Sequence, residues 1–307
     1  MEARTVGRTT PNGPAMEDTQ SLIDGLITWT GTLLPDRDRA AELERRLRAA
    51  VADGTLDPSQ PLSRPALDAV EAVCHRTARH LTFDLHDQPA APDQEAPGWP
   101  PVPRAEVEGR AGFVRSVQRP AGASFGELRL DGFDEAEHAG RYLHAAFGLL
   151  IGVDGLILDL RHNGGGAVST LAMLAEFVLG PEPEHLATVY YRDQPPRQWW
   201  TTGGLAHVHL PASARVAVLI GPGTYSSGEA VAYHLKSRGR VRVFGTRTPG
   251  AGDHVTPIRV TPSVTALIPE GTTIDQRTGT NWEGQGVEPD VESATDAYGL
   301  ARTWLAA

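Results

Sequence analysis

The chain of 307 residues is long enough for one large domain or two smaller ones. Its 40% hydrophobic and 21% charged residues are typical of a globular protein with a sizeable core. A net charge of −10 argues against nucleic-acid and anionic-membrane partners, because both need clustered positive charge. The N-terminus lacks a signal-peptide core, no apolar run approaches the roughly 20 residues that span a bilayer, and Cys74 is the only cysteine. We therefore expect a cytoplasmic protein without a disulfide or a cysteine metal cluster.

The first part of the chain carries apolar residues at helical spacing. Helices are predicted over 18–53, divided at Pro35 and stopped at Gly54, and from about 65 to 77. The stretch ARHLTFDLHD then alternates like a short strand. Six prolines between residues 88 and 104 predict an extended connector. We expect a helical N-terminal domain over 1–87, the connector at 88–104, and a core over 105–307.

Strand and helix patterns alternate after the connector. Strands are predicted at GFVRSV, SFGELRL, GLILDL, ATVYYR, ARVAVLI, VRVFG, TPIRV and SVTALIP. Helices are predicted at EAEHAGRYLHAAFGLLI, GAVSTLAMLAEFVLG, SSGEAVAYHLKSR and DAYGLARTWLA. This alternation predicts an α/β fold with a largely parallel sheet covered by helices.

The first notable strand-to-helix junction is GLILDLRHNGGGAVSTL, in which Gly164, Gly165 and Gly166 open the helix. Glycine allows a positive φ and a close approach to a ligand, and free amides at a helix start can bind an anion or an oxyanion. The alternative is a tight turn that merely needs glycine. The phosphate-loop patterns GxxxxGK[ST] and GxGxxG are absent from this stretch.

The second junction is ARVAVLIGPGTYSSGEAVAYHLK, in which a helix begins near Ser226. A hydroxyl there lies at the positive end of the helix dipole, but serine is also a common helix N-cap and Glu229 would complete a capping box. No GxSxG elbow surrounds Ser226 or Ser227. Together the two junctions would supply a nucleophile and an oxyanion hole at the carboxyl ends of parallel strands.

The stretches LILDLRHNGGG, VAVLIGPGTYSSGEAVA, VFGTRTPGAG and TGTNWEGQGVEPDVE occur in this order and resemble the tail-specific, or carboxyl-terminal-processing, serine peptidases. The likeness covers about residues 18–295 and is closest to the branch with the tricorn core, nisin-resistance protein and interphotoreceptor retinoid-binding protein repeats. It implies a crotonase-like (ClpP/crotonase-type) core, a small helical N-terminal domain and no PDZ insertion. It also implies Ser226 as the nucleophile, with Glu229 as its motif glutamate, and Gly164 or Gly165 with the Ser227 amide as the oxyanion hole.

The general base is a separate question, since many tail-specific peptidases use a lysine where this chain has Ala251. The only lysine, Lys236, lies ten residues beyond Ser226, or about 15 Å along a helix, which excludes a serine–lysine dyad within one chain. The tricorn-like resemblance implies His80 as the base and Glu283 as the acid that orients it. His162 and His254 remain alternative bases.

The resemblance implies hydrolysis of peptide bonds near substrate C-termini, on a peptide or small apolar substrate, with neither a metal nor an organic cofactor. One alternative is a non-hydrolytic binder of retinoid-, lipid- or polyketide-like molecules. Another is an acyl-transfer or cyclisation enzyme of small-molecule biosynthesis. The substrate and the oligomeric state are left open by the sequence.

Overall fold

The predicted N-terminal helices form with caps at their starts. The computed structural model describes residues 17–205 and 208–307, and its first helices are α1 (Thr19–Leu33), α2 (Arg37–Ala52) and α3 (Arg64–Cys74). The Asp18 and Asp36 carboxylates cap α1 and α2 by accepting backbone N–H groups of the first turn. Pro35 lies between these two helices, as predicted.

A five-stranded antiparallel sheet packs against these helices and was not predicted. Its strands are β1 (Phe83–Leu85), β5 (His185–Tyr191), β6 (Arg197–Trp200), β9 (His254–Thr261) and β10 (Val264–Asp275), with β10 paired to β1, β5 and β9. β1 is shorter than predicted, because residues 79 and 80 form a turn rather than strand. Leu22, Leu43 and Leu67 are buried in one apolar cluster with Ile258 and Ile268. The helices therefore share their core with strands beyond the connector, and the predicted domain division remains a prediction.

The largely parallel sheet that was predicted is the second sheet of the molecule. Its order is β11 (Val291–Glu292), β8 (Arg242–Gly245), β7 (Arg215–Ile220), β4 (Gly155–Asp159), β3 (Phe125–Leu130) and β2 (Val114–Gln118). Only the β2–β3 pair is antiparallel. The central strands β4 and β7 read as continuous apolar runs because both faces of a covered parallel sheet are buried.

Helices cover both faces of this sheet. The remaining helices are α4 (Arg104–Gly109), α5 (Ala136–Leu149), α6 (Val168–Leu179), α7 (Ser227–Ser237) and α8 (Ala297–Ala306). Phe147, Leu174 and Val231 from α5, α6 and α7 pack in one apolar cluster, whereas Ala301 of α8 packs in another with Ile157 and Leu219. Over the described ranges, no helix has the length and apolar character needed to cross a membrane.

Candidate active site

The structure brings the two strand-to-helix junctions together. β4 and β7 are parallel neighbours in the centre of the sheet, so the turns that follow them lie at the same edge. The backbone N–H of Tyr225 donates to the Asn163 carbonyl at 2.9 Å, which ties one turn to the other. A Cβ atom at Gly165 would lie only 2.7 Å from Ser226 Cβ. Glycine is therefore required at 165 for the glycine turn to approach this serine.

Ser226 has a strained backbone at the start of α7. Its φ of 52° and ψ of −121° lie in a region that residues with a side chain rarely occupy. Such strain costs about 1–3 kcal/mol and persists where the surrounding contacts hold it, often at functional sites. The side chain is half-buried rather than enclosed. Strain and partial exposure distinguish Ser226 from an ordinary helix cap.

Glu229 holds this turn in place from inside the protein. One carboxylate oxygen accepts the N–H groups of Ser226 at 3.0 Å and Ala251 at 2.8 Å. The other accepts the Thr248 hydroxyl at 2.5 Å and the Gly250 N–H at 2.7 Å. Burial raises the pKa of Glu229. Glu229 therefore joins the start of α7 to the TPGAG turn, which is a larger structural role than that of a capping-box residue.

Two of the three turn glycines have their amide hydrogens engaged. The Gly164 N–H donates to the Asp131 carbonyl at 3.2 Å, and the Gly165 N–H donates to the Asn163 side-chain oxygen at 3.0 Å. These bonds shape the turn, but they occupy the amides that the sequence analysis placed in the oxyanion hole. The expected donor role of Gly164 and Gly165 is thus not supported by the hydrogen bonds of this turn.

Two neighbouring amides remain available. In the described ranges, the N–H groups of Gly166 and Ser227 have no hydrogen-bond acceptor. The Ser227 hydroxyl donates to the Gly166 carbonyl at 2.7 Å, which holds the two residues together. Because the Ser227 hydroxyl is already bonded, it is the backbone N–H of this residue that is available, in line with the amide role predicted for Ser227.

His80 is buried beside the residue that precedes Ser226. Its ring lies edge-on to the Tyr225 ring, with 5.3 Å between centroids, and its Nδ1–H donates to the Asp253 carbonyl at 2.5 Å. Burial lowers the pKa of His80 to about 4, so the imidazole is neutral at pH 7. With the proton on Nδ1, Nε2 is left as the basic nitrogen. No hydrogen bond joins Ser226 to His80 in the described structure, and catalytic pairs often tighten only with substrate.

Glu283 contacts the backbone on both sides of His80 rather than the imidazole. One oxygen accepts the Arg79 N–H at 2.6 Å, and the other accepts the N–H groups of Gly252 at 2.6 Å and Asp253 at 3.1 Å. Glu283, which was expected to orient His80, makes no hydrogen bond to the imidazole in the described structure, and Nδ1 donates to the Asp253 carbonyl instead. Glu283 fixes the two backbone segments that hold His80.

Arg39 and Asp253 complete this network and were missed by the sequence analysis. The Arg39 guanidinium pairs with the Asp253 carboxylate and lies 3.2 Å from Glu283. Burial raises the pKa of Asp253, and the adjacent Glu283 charge raises it further. Arg39 is one of several arginines on α2 and carries no local signal, since its partner is 214 residues away.

The alternative bases lie in other surroundings. His254 is bonded through Nδ1 to Glu270 at 3.1 Å and lies near the rings of Trp199 and Tyr191. His162 is exposed. Lys236 pairs with Asp290 at 2.9 Å. Of these basic residues, His80 is the one whose ring contacts the ring of Tyr225, the residue before Ser226, in the described structure.

Comparison with known proteins identifies related chains and folds. The sequence model of Peptidase family S41 matches residues 124–293. A carboxyl-terminal-processing protease from Synechocystis sp. is 32% identical over 136 residues, and the match spans 43% of this chain and only 29% of that relative. A solved structure from Parabacteroides merdae has a TM-score of 0.60 at 15% identity and covers 93% of each chain. A lipoprotein structure from Streptococcus agalactiae has a TM-score of 0.56 at 14% identity, covering 97% of this chain and 99% of that one. At these identities the two structural matches establish the fold alone.

Proposed function

Because this chain belongs to Peptidase family S41, we propose that it is a serine peptidase that hydrolyses peptide bonds near the carboxyl termini of its substrates. The observation that carries the proposal is the strained turn at Ser226, which lies against Gly165 and beside two free backbone amides. The printed name of the Synechocystis relative, a carboxyl-terminal-processing protease, supports the choice of substrate end.

In the proposed mechanism, Ser226 Oγ attacks the scissile carbonyl and His80 Nε2 accepts the hydroxyl proton. The same imidazole then gives that proton to the leaving amine, and a water molecule attacks the acyl-enzyme in the second half of the cycle. The N–H groups of Gly166 and Ser227 donate to the oxyanion, as their lack of other acceptors supports. Glu283 acts as a positioning residue through its backbone hydrogen bonds.

We also propose a domain architecture for the chain. The parallel sheet with helices on both faces supports a crotonase-like core without an inserted PDZ module in the described ranges. In this arrangement the N-terminal helices act as a small domain that supplies His80 from the segment after α3. The base and the nucleophile then come from two segments that are far apart in the chain.

A fluorophosphonate probe followed by peptide mapping tests the nucleophile. We expect the probe to label Ser226, and labelling to be lost in Ser226→Ala. The matched control is Ser227→Ala, which removes a neighbouring hydroxyl that is already bonded to a carbonyl. Retained labelling of Ser227→Ala, within about threefold of the wild-type rate, would show that Ser227 contributes only its amide.

The base is tested by comparing His80→Ala with His254→Ala. We expect the labelling rate to fall roughly 10²- to 10⁴-fold in His80→Ala and to change little in His254→Ala. The reverse order would make His254 the base. If the intact, folded protein does not label at all but binds a retinoid or fatty acid tightly, the peptidase proposal is wrong and the chain is a binding protein.

A further inference from the structure

Three successive residues between α4 and β2 have left-handed backbone conformations. Their φ angles are 50° at Ala111, 57° at Gly112 and 63° at Phe113. This region normally holds single residues, because it brings the Cβ atom close to the following carbonyl oxygen. In the described ranges, Ala111, Phe113 and Ser226 are the three residues other than glycine with a positive φ. Such strain persists only where surrounding contacts hold it, so the contacts of this turn bear on its role.

Arg110 ties the turn to the segment that follows β3. Its guanidinium forms two hydrogen bonds to the carboxylate of Asp134, one of them 2.8 Å long. The Asp134 side chain is 2% exposed, so this ion pair fixes a buried carboxylate. The same guanidinium pairs with the exposed Glu106 of α4 and lies over the ring of Phe113, 4.3 Å from its centroid.

Phe113 makes a second connection to the same segment. Its ring packs against the backbone at Gly132, and its carbonyl accepts the Asp131 N–H at 3.1 Å. Glycine would adopt this backbone conformation without strain. The ring contacts of Phe113 with Arg110 and Gly132 therefore offset a backbone cost that glycine would not have.

The segment after β3 directly supports the glycine turn of the candidate site. The Phe133 N–H donates to the Gly165 carbonyl at 2.8 Å, and the Phe133 carbonyl accepts the Ala167 N–H at 2.8 Å. A Cβ atom at Gly166 would lie 2.1 Å from that carbonyl oxygen, so Gly166 lies directly against Phe133. Gly166 carries one of the two amides that have no acceptor in the described part of the chain. The position of Phe133 therefore sets the position of this amide.

We propose that Arg110 and Phe113 are positioning residues for the Gly166 amide. Arg110 holds Asp134, the residue after Phe133, and the Phe113 carbonyl and ring hold the two residues before it. The inference rests on the proposed function, in which the Gly166 N–H donates to the oxyanion. A hydrogen bond weakens steeply as its donor is displaced or tilted, so a shift of Phe133 lowers the stabilisation of the oxyanion.

The test compares two probes that differ in one atom. A fluorophosphonate has a P=O group, whose oxygen gains negative charge as Ser226 Oγ displaces fluoride, and its thiono analogue has P=S instead. Sulfur is a weaker hydrogen-bond acceptor than oxygen, so the oxyanion-hole amides accelerate reaction of the P=O probe more. The ratio of the two labelling rates therefore reports the placement of the amides. A lower folded fraction, by contrast, reduces both rates equally and leaves their ratio unchanged.

The main variant is Arg110→Lys, which keeps a positive charge beside Asp134 but removes the paired hydrogen bonds and the stacking on Phe113. We expect the ratio of P=O to P=S labelling rates to fall roughly 5- to 50-fold, since loss of an entire oxyanion donor costs about 10²- to 10³-fold. Phe113→Ala should lower the ratio in the same direction. The matched control is Arg104→Lys, at an exposed arginine of α4 that pairs with Glu108, and it should leave the ratio within about twofold of the wild type.

The outcomes separate this inference from the proposed function. If Ser226 is labelled but the ratio is unchanged in Arg110→Lys and Phe113→Ala with native circular-dichroism spectra, the positioning role is wrong and the peptidase proposal stands. If Arg110→Lys does not fold, the ratio in Phe113→Ala decides alone. If neither probe labels Ser226 in the wild type, the proposed function is wrong and the positioning role fails with it.

Discussion

The close approach of Gly165 to Ser226 can be tested by adding one methyl group. In Gly165→Ala, the new Cβ would lie 2.7 Å from Ser226 Cβ and 2.9 Å from the Tyr225 carbonyl oxygen. The backbone at 165 has φ = +94°, which side chains rarely adopt. Backbone strain costs about 1–3 kcal/mol and overpacking costs about 1–3 kcal/mol. We expect the free energy of unfolding to fall by about 2–6 kcal/mol, because both costs act at once.

The chain provides a matched control at the adjacent position. A Cβ at Gly164 meets no atom within 4 Å, and its φ is not positive. Gly164→Ala should therefore change the unfolding free energy by less than about 0.5 kcal/mol. Urea denaturation with an unchanged m-value measures both variants. Gly165→Ala should also slow labelling of Ser226 by at least about tenfold, because the displaced serine loses its alignment. Equal stability and labelling of the two variants would refute the packing argument.

Two further predictions concern buried ionisable groups. Glu229→Gln should lower the unfolding free energy by about 2–4 kcal/mol, because an amide cannot accept all four hydrogen bonds that the carboxylate accepts. The exposed Glu288→Gln should change it by less than about 0.5 kcal/mol in the same urea titration, and a similar loss in both would contradict the role given to Glu229. The pKa of His80 is about 4 in the folded chain against an ordinary 6.5, so the unfolded chain binds more protons between these two pH values. The contribution of His80 to the free energy of unfolding is therefore fully present above pH 6.5 and is lost as the pH falls toward 4. The His80 contribution amounts to about 3 kcal/mol, so the loss of stability from pH 7 to pH 4, measured by urea midpoints, should be smaller by about that amount in His80→Gln and unchanged in His144→Gln, an exposed histidine.

Local sequence patterns were sufficient for the elements that carry the candidate nucleophile. The apolar runs GLILDL and ARVAVLI predicted β4 and β7, and helical spacing predicted α6 and α7. Burial on both faces and the 3.6-residue repeat are properties of neighbouring residues, so a short window contains them. The five-stranded sheet was missed because its pairings join distant segments. β5 and β10, for example, pair Tyr191 with Gly271.

The backbone conformation around the candidate base, His80, could not be predicted from the local sequence pattern. ARHLTFD was expected to be strand, but residues 79 and 80 form a turn and only Phe83–Leu85 pairs in the sheet. That turn is stabilised by Glu283, which is 204 residues from Arg79 in the chain. A contact at such a separation leaves no spacing pattern in the sequence.

The sequence by itself determined that Ser226 stands at a helix start, that three glycines open another helix, and that the only lysine cannot reach Ser226 along its helix. Each of these depends on residue identity and on distances along one helix or turn. Only the tertiary structure decided that the Gly166 and Ser227 amides are free while those of Gly164 and Gly165 are engaged. It also decided that Glu283 bonds to backbone around His80. Hydrogen-bond partners are set by how separate segments meet, because each buried donor takes whichever acceptor the packing brings within reach.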